Sequence, residues 1–182
     1  MDISIGLIEF TSIARGIETT DAMLKAGRVS LNFAKPVCPG KFIIMINGEI
    51  GAVEAAMKAG LLVGAGPVVN HLIIPRAHHT LLPAVNGTVP APSLSALGVV
   101  EYFDITSAVA GADAAAKSSQ VTLTEVRLGM GIGGKSFFKL CGQVSDVRSA
   151  VTVATELARD RGVVVASCVI PSPNPALFRE ML

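Results

Sequence analysis

Apolar and polar positions in the first half of the chain follow two alternating spacings, one typical of strands and one of helices. Residues 3–10 are rich in Ile and Leu and predict a strand. Residues 11–27 carry apolar side chains at roughly helical spacing and predict a helix that ends at Gly27. Two strands are predicted over residues 29–37 and 41–47, on either side of a loop with proline and glycine.

A second helix and a last strand complete this pattern. Val53, Ala56 and Met57 mark a helix predicted to close at Gly60, and residues 68–75 predict a strand. The first half thus has the order strand, helix, strand, strand, helix, strand. This βαββαβ order is that of a ferredoxin-like unit, an α+β fold with an antiparallel sheet and helices on one face.

The second half of the chain repeats the first. The run IGLIEFTSIARGIETTDAMLKAGRVSL from Ile5 aligns with LGVVEYFDITSAVAGADAAAKSSQVTL from Leu97, at an offset of 97 − 5 = 92 residues. The run GKFIIMINGEIGAVEAAMKAG from Gly40 aligns with GKSFFKLCGQVSDVRSAVTVA from Gly134, at an offset of 134 − 40 = 94 residues. The second copy has therefore gained two residues in one loop between strands.

We assign the two copies to two tandem domains, residues 1–88 and 94–182, with the Pro- and Gly-containing stretch 77–95 as their link. Two similar units in one chain present two similar sets of edges. Three chains in a ring can therefore imitate a ring of six single units, which makes a homotrimer the expected assembly.

Charge and composition add a constraint on partners. The chain has 15 basic and 14 acidic residues, and only 16% of its 182 residues are charged, against roughly 25% in an average soluble protein. The near-neutral balance indicates neither nucleic acid nor a membrane surface as partner. No signal peptide or apolar run of membrane-spanning length is present, so we expect a cytoplasmic protein whose charge-poor surface is covered by other subunits.

The three cysteines, Cys38, Cys141 and Cys168, are too few and too far apart for a disulfide framework or a metal site within one chain. Cys141 and Cys168 lie in apolar strand patterns and are expected to be buried. Cys38 instead lies between two prolines in the loop KPVCPGK. From the residues alone it is a free surface thiol, a small loop residue, or one ligand of a site completed by other copies.

A phosphate-binding loop is suggested by GMGIGGKS, residues 129–136, which satisfies the pattern G-x-x-x-x-G-K-[ST]. Such a loop needs a helix directly after it, so that the helix N-terminus faces the phosphates. The following residues, SFFKLCGQ, align with a strand of the first copy. We therefore expect a glycine-rich loop equivalent to KPVCPGK, and a nucleotide hydrolase using Lys135 and Ser136 is the least favoured function.

Two other pairs of residues are candidates for metal binding or for acid–base catalysis. His78 and His79 are adjacent, so their side chains diverge, and no third metal ligand accompanies them; a solvated helix start is the favoured interpretation. Glu9 and Glu101 occupy equivalent positions in the two copies, which favours a shared structural role over acid–base catalysis.

The runs IGLIEFTSIARGIETTDAMLKAG, PGKFIIMINGEIGAVEAAMKAG and IIPRAH, with their second-half counterparts, resemble the bacterial microcompartment shell proteins, in their tandem-domain, trimer-forming class. The resemblance covers nearly the whole chain. It implies a non-enzymatic structural protein of the microcompartment shell, a flat pseudo-hexameric trimer that tiles edge to edge with other shell proteins around encapsulated enzymes. The competing interpretation is a soluble trimeric redox or regulatory protein with no shell role.

The resemblance also implies roles for individual residues. Lys25 and Lys117 would lie at the tile edge and Arg76 in contacts between tiles, whereas the second copy has Ser172 in place of the arginine. The loops around the central pore would comprise Lys35, Pro36, Val37, Pro39, Gly40 and Lys41, and Gly129, Met130, Gly131, Ile132, Gly133 and Gly134.

In one group of the class the cysteine matching Cys38 holds an iron–sulfur cluster on the trimer axis. The resemblance therefore implies one 4Fe-4S cluster per trimer, with one Cys38 ligand per chain and a role in electron transfer or cluster delivery across the shell. Lys35 and Lys41 are close enough in sequence to offset the charge of such a site.

Overall fold

The computed structural model describes residues 3–87, 89 and 95–180, with backbone only for residues 178–180. These residues form two compact units. The first comprises the described residues up to Ala77 together with Gly129–Gly134, and the second comprises the other described residues from His78 onward. The predicted domain limits at residues 88 and 94 lie outside the described residues.

The first unit is a four-stranded antiparallel sheet with two helices. Its elements are β1 (Ser4–Phe10), α1 (Ile13–Ala26), β2 (Ser30–Val37), β3 (Lys41–Gly48), α2 (Ile50–Gly64) and β4 (Val68–Ile74). The strand order is β2-β3-β1-β4. Ser12 caps α1 by accepting the Arg15 backbone N–H, which satisfies one of the donors left free at a helix start.

Alternate strand residues and one face of each helix form the core of this unit. Ile8 on β1 and Ile44 and Ile46 on β3 pack with Met23 of α1 and Met57 of α2. Successive strand side chains point to opposite faces of a sheet, so these residues mark the face that both helices cover.

The second unit repeats this architecture. Its elements are α3 (Leu81–Asn86), β5 (Ala96–Tyr102), α4 (Ile105–Ser118), β6 (Val121–Leu128), β7 (Ser136–Gly142), α5 (Val144–Leu157), a 3-10 turn (Arg159–Arg161), β8 (Val164–Pro171) and α6 (Pro175–Glu180). The strand order β6-β7-β5-β8 is the counterpart of the first. Val100 pairs with Phe138 just as Ile8 pairs with Ile44, so the register is also repeated. The predicted pair of ferredoxin-like βαββαβ units is confirmed.

Two details differ from the sequence expectations. The second helix continues past Gly60 to Gly64, because Gly60 lies where α1 and α2 approach closely and is not a helix stop. A Cβ at Gly60 would lie 2.7 Å from Cγ of Met23. Two short helices follow β4 and β8: a helix start at His78 and His79 was expected before α3, whereas α6 was not predicted. Among the described residues no helix is long and apolar enough to cross a membrane.

Candidate functional site

The cysteine loop connects two paired strands of the first unit. Pro36 on β2 pairs with Phe42 on β3, and Val37 pairs with Lys41, so Cys38 is the first residue beyond the ladder. Val37 is buried and anchors the end of β2. The Gly40 N–H donates to the Val37 carbonyl at 3.1 Å, and Gly40 has a φ of 83°, in the left-handed region that glycine adopts without strain.

The glycine-rich loop, residues 129–134, packs directly against the cysteine loop. The Cys38 N–H donates to the Gly129 carbonyl at 3.2 Å. A Cβ on Gly134 would lie 2.7 Å from Cδ of Pro39 and 2.8 Å from the Cys38 carbonyl oxygen. From the sequence, each loop was expected to lie in its own copy. The structure instead places all twelve predicted pore-loop residues and Cys38 in the first unit. The two loops therefore form one candidate site.

The three thiols lie in different surroundings. Cys38 is exposed and Cys141 is buried. Burial raises the pKa of Cys141 to about 11, which keeps this thiol protonated and unreactive at neutral pH. Cys168 is also exposed, so the expectation that it is buried was wrong. It lies midway along β8, an edge strand whose central residues are exposed, and an apolar pattern alone could not distinguish this position from a core one.

The two lysines flanking the cysteine have partners of their own. Nζ of Lys41 lies 2.7 Å from Oε1 of Glu9, whose side chain is fully buried. Nζ of Lys35 lies over the Phe33 ring, 4.5 Å from its centroid. Lys41 therefore anchors the start of β3 to β1. The ammonium groups of Lys35 and Lys41 thus contact Phe33 and Glu9, and not Cys38.

The ion pair at the base of the loop recurs in the second unit. Nζ of Lys135 lies 2.5 Å from Oε1 of Glu101, at the equivalent position. The expected shared structural role of Glu9 and Glu101 thus takes the form of two equivalent lysine contacts. Lys135 is followed by strand β7 and not by a helix, so the phosphate-loop pattern has the wrong context for nucleotide binding.

The predicted tile-edge lysines have equivalent surroundings. Lys25 pairs with Asp21 through Oδ2 at 2.6 Å, and Lys117 pairs with Asp113 through Oδ2 at 2.5 Å, each one helical turn away. Arg76 is exposed and has a φ of 50°, and Ser172, its counterpart after β8, has a φ of 48°.

The adjacent histidines start the segment that leads into α3. The His78 backbone N–H donates to Oδ1 of Asp113 at 2.7 Å, and the side chain is half-buried, so the expected solvated start holds for the exposed His79 only. Burial and the neighbouring His79 lower the pKa of His78. Within the described residues, no group of three or more His, Cys, Asp or Glu side chains is placed to hold a metal ion.

Comparison with known proteins decides the family. The family model described as "BMC domain", where BMC stands for bacterial microcompartment, matches residues 4–77 and again residues 96–173. The chain belongs to the bacterial microcompartment shell-domain family. The two matches correspond to the two units of the fold.

Two similar proteins match nearly the whole chain, and a third matches about half of it. The bacterial microcompartment shell protein PduT of Citrobacter freundii is 42% identical over 182 residues, which is 100% of this chain and 99% of that protein. The crystal structure of a microcompartment protein from Desulfitobacterium hafniense DCB superposes with a TM-score of 0.92 at 49% identity, covering 98% of this chain and 99% of that one. A carboxysome shell protein of Prochlorococcus marinus is 40% identical over 89 residues, 47% of this chain and 85% of that protein.

These relationships establish the general role of the chain. It is a structural protein of a bacterial microcompartment shell and not an enzyme. The alternative of a soluble redox or regulatory protein with no shell role is therefore not supported.

Proposed function

We propose that three copies of this shell protein form a pseudo-hexameric ring with a central pore. The cysteine and glycine-rich loops line the pore, and Cys38 of each copy is a ligand of a shared 4Fe-4S cluster. The observation that carries this proposal is the exposed Cys38 thiol at the end of the β2–β3 ladder, held by the glycine-rich loop.

The repeated fold supports a ring of three. Each chain contains two family domains with the same strand order and register. Three chains supply six such domains. Cyclic symmetry is the usual arrangement in which identical chains make the same contact with each neighbour.

The donor set fits a shared cluster. A 4Fe-4S cluster is held by thiolates, typically four, and within one chain the described residues form no group of three or more His, Cys, Asp or Glu side chains placed to hold a metal ion. Threefold symmetry converts one exposed Cys38 per chain into three thiolates, which leaves the fourth iron for water or a small thiol. Cys141 is unsuited to this role because it is buried and its pKa is raised to about 11.

A bound cluster supplies one-electron transfer, and in this position it would serve electron transfer across the shell or delivery of the cluster itself. Encapsulated redox enzymes are the corresponding partners. At the perimeter, Lys25, Lys117 and Arg76 would contact other shell proteins edge to edge. The exposure of Lys25 and Arg76 and the partial exposure of Lys117 suit that role.

Anaerobic purification and reconstitution test the proposal. We expect the wild-type protein to be brown, to contain iron and to elute as a trimer, and Cys38→Ala to be colourless and still trimeric. Cys168→Ala is the matched control, since it removes the other exposed thiol and should keep colour and iron. Iron-free wild-type protein, or iron retained by Cys38→Ala, would refute the cluster assignment, and a monomeric wild type would refute the ring.

A further inference from the structure

The segments that follow β4 and β8 are equivalent in sequence, although in the part of the chain that the structure describes only the first packs against a neighbouring surface. Pro75 aligns with Pro171, at an offset of 171 − 75 = 96 residues. The next residue in each case, Arg76 or Ser172, has a left-handed φ, and a short helix follows, α3 or α6. The two segments therefore share a left-handed residue and a short helix, although α6 begins two residues earlier than α3 at this alignment.

A backbone N–H is bonded by an equivalent side chain near the start of each helix. The Thr80 N–H donates to Nδ1 of His78 at 3.4 Å, and the Ala176 N–H donates to Oδ1 of Asn174 at 2.8 Å. Apolar positions also correspond in the sequence, because Leu81 and Leu82 of α3 align with Leu177 and Phe178 of α6. Equivalent side-chain contacts and aligned apolar residues in the two copies indicate a common docking mode.

The docking of α3 is visible in the second unit. α3 packs against β6 and α4 and buries Leu81 and Ala84 completely. The His78 N–H, just before the helix, donates to Oδ1 of Asp113 on α4, while Oδ2 of Asp113 is paired with Lys117. An apolar anchor and one charge-assisted hydrogen bond thus hold this segment.

Among the described residues α6 shows no such packing. Leu177, the counterpart of Leu81, is 40% exposed, and residues 174–176 are exposed. Exposing an apolar helix face has a free-energy cost that docking would remove.

The first unit carries the matching surface. A groove of about 490 Å³ lies between α1, β2 and β3, lined by Ile13, Ile17, Thr20, Asp21, Leu24, Ala34, Pro36 and Phe42. We call this surface the α1 groove. On α1, Ile13, Ile17 and Leu24 are 43%, 58% and 40% exposed, whereas their α4 counterparts Ile105, Val109 and Ala116 are buried.

The polar partner is also in place. Oδ2 of Asp21 is paired with Lys25, as Oδ2 of Asp113 is with Lys117. Across the described residues Oδ1 of Asp21 has no hydrogen-bond donor, and it is the counterpart of the atom that accepts from His78. The α1 groove therefore lacks both the apolar anchor and the donor that α3 supplies in the second unit.

We propose that α6 of one copy docks in the α1 groove of the next copy. Leu177 takes the place that Leu81 has in the second unit, and the Asn174 N–H donates to Oδ1 of Asp21 in the neighbouring copy. Each chain has one α6 and one α1 groove, so the interface is head-to-tail, and the threefold rotation of the proposed trimer closes it into a ring. This inference rests on the proposed trimer and names the segment that links its subunits.

Disulfide trapping tests the contact. In a Cys38→Ala, Cys168→Ala background, Asp21→Cys and Asn174→Cys place thiols where the His78–Asp113 contact predicts proximity. On a non-reducing gel we expect covalent dimers and trimers from the double variant and monomers from each single variant. A mixture of the two single variants should stop at dimers.

Other outcomes separate the docking from the ring. A trimer in solution that does not cross-link overturns the docking and leaves the trimer standing, whereas a monomer in solution overturns both. An intramolecular disulfide, seen as a faster-migrating monomer in the double variant, overturns docking between copies.

A second measurement checks the apolar anchor. Leu177→Asp should raise the concentration at which the trimer dissociates roughly 10- to 100-fold, the usual value of a buried leucine. The control Leu62→Asp alters a leucine that is 81% exposed on α2, outside both surfaces, and should shift it by about 2-fold at most. Equal effects of the two substitutions, measured by mass photometry across a dilution series, would overturn the assignment of Leu177.

Discussion

Replacing Gly134 by alanine should damage the candidate site more than the same change at Gly131. Both glycines lie in the glycine-rich loop with left-handed φ values, 81° and 72°. An alanine in that region costs about 1–2 kcal/mol. A Cβ at Gly131 meets nothing within 4 Å, whereas one at Gly134 would lie 2.7 Å from Pro39 and 2.8 Å from the Cys38 carbonyl oxygen. The two substitutions thus differ in contact and not in backbone strain.

The extra cost at Gly134 follows from what the methyl group meets. A proline ring and a backbone carbonyl cannot rotate away as a flexible side chain can, and overpacking of this kind typically costs about 1–3 kcal/mol. We expect Gly134→Ala to lower the free energy of unfolding by about 2–5 kcal/mol, and Gly131→Ala by about 1–2 kcal/mol. Relief of the contact would displace Cys38 and weaken its hydrogen bond to Gly129.

Urea unfolding at one fixed protein concentration measures the stability difference. The rate at which a coloured disulfide reagent modifies Cys38, in a Cys168→Ala background, reports on the loop itself. Gly134→Ala should speed that reaction and Gly131→Ala should leave it unchanged. Equal stability losses with identical thiol rates would show that the two loops do not brace each other.

Two further predictions concern buried groups. Glu9→Gln should lower the free energy of unfolding by about 1–3 kcal/mol, because it leaves the partly buried Lys41 without its anion. Glu101→Gln, at a more exposed pair, should lower it by less than about 1 kcal/mol. Urea unfolding measures both losses, and equal losses would contradict the reasoning. Cys141 should resist iodoacetamide at pH 8 while Cys38 and Cys168 react. The labelling of Cys141 in the folded protein should rise as the pH approaches about 11, since burial disfavours its thiolate. Mass spectrometry after a timed pulse checks this, and labelling of Cys141 as fast as Cys168 at pH 8 would count against it.

The sequence predicted the two units well because the patterns of each helix and strand span only a few residues and occur in both copies. The helix start at Ser12 and end near Gly27 and the strands around KPVCPGK can each be identified within one window, and the second copy confirms the first. α6 and the extent of α3 were missed because six residues are too few for a periodic signal, and Pro83 lies inside α3.

Contacts between distant segments were harder to predict. The Glu9–Lys41 pair could have been found from register: Glu9 faces Ile43 on β3, and Lys41 lies two residues further along, on the same face of the sheet. The packing of Gly134 against Pro39 had no such signal, because nothing local shows that the longer loop of the second copy lies with the first unit.

The unequal loops at equivalent positions in the two sequence copies have a consequence for stoichiometry. Covalent fusion fixes the ratio of thiol-bearing to glycine-rich loops at one to one, whatever the expression level of the protein. Two separate genes for single domains would instead yield mixed rings with a statistical distribution of thiols. In a closed ring of three fused chains the two loop types must alternate, so that every assembled particle carries the same number of Cys38 side chains.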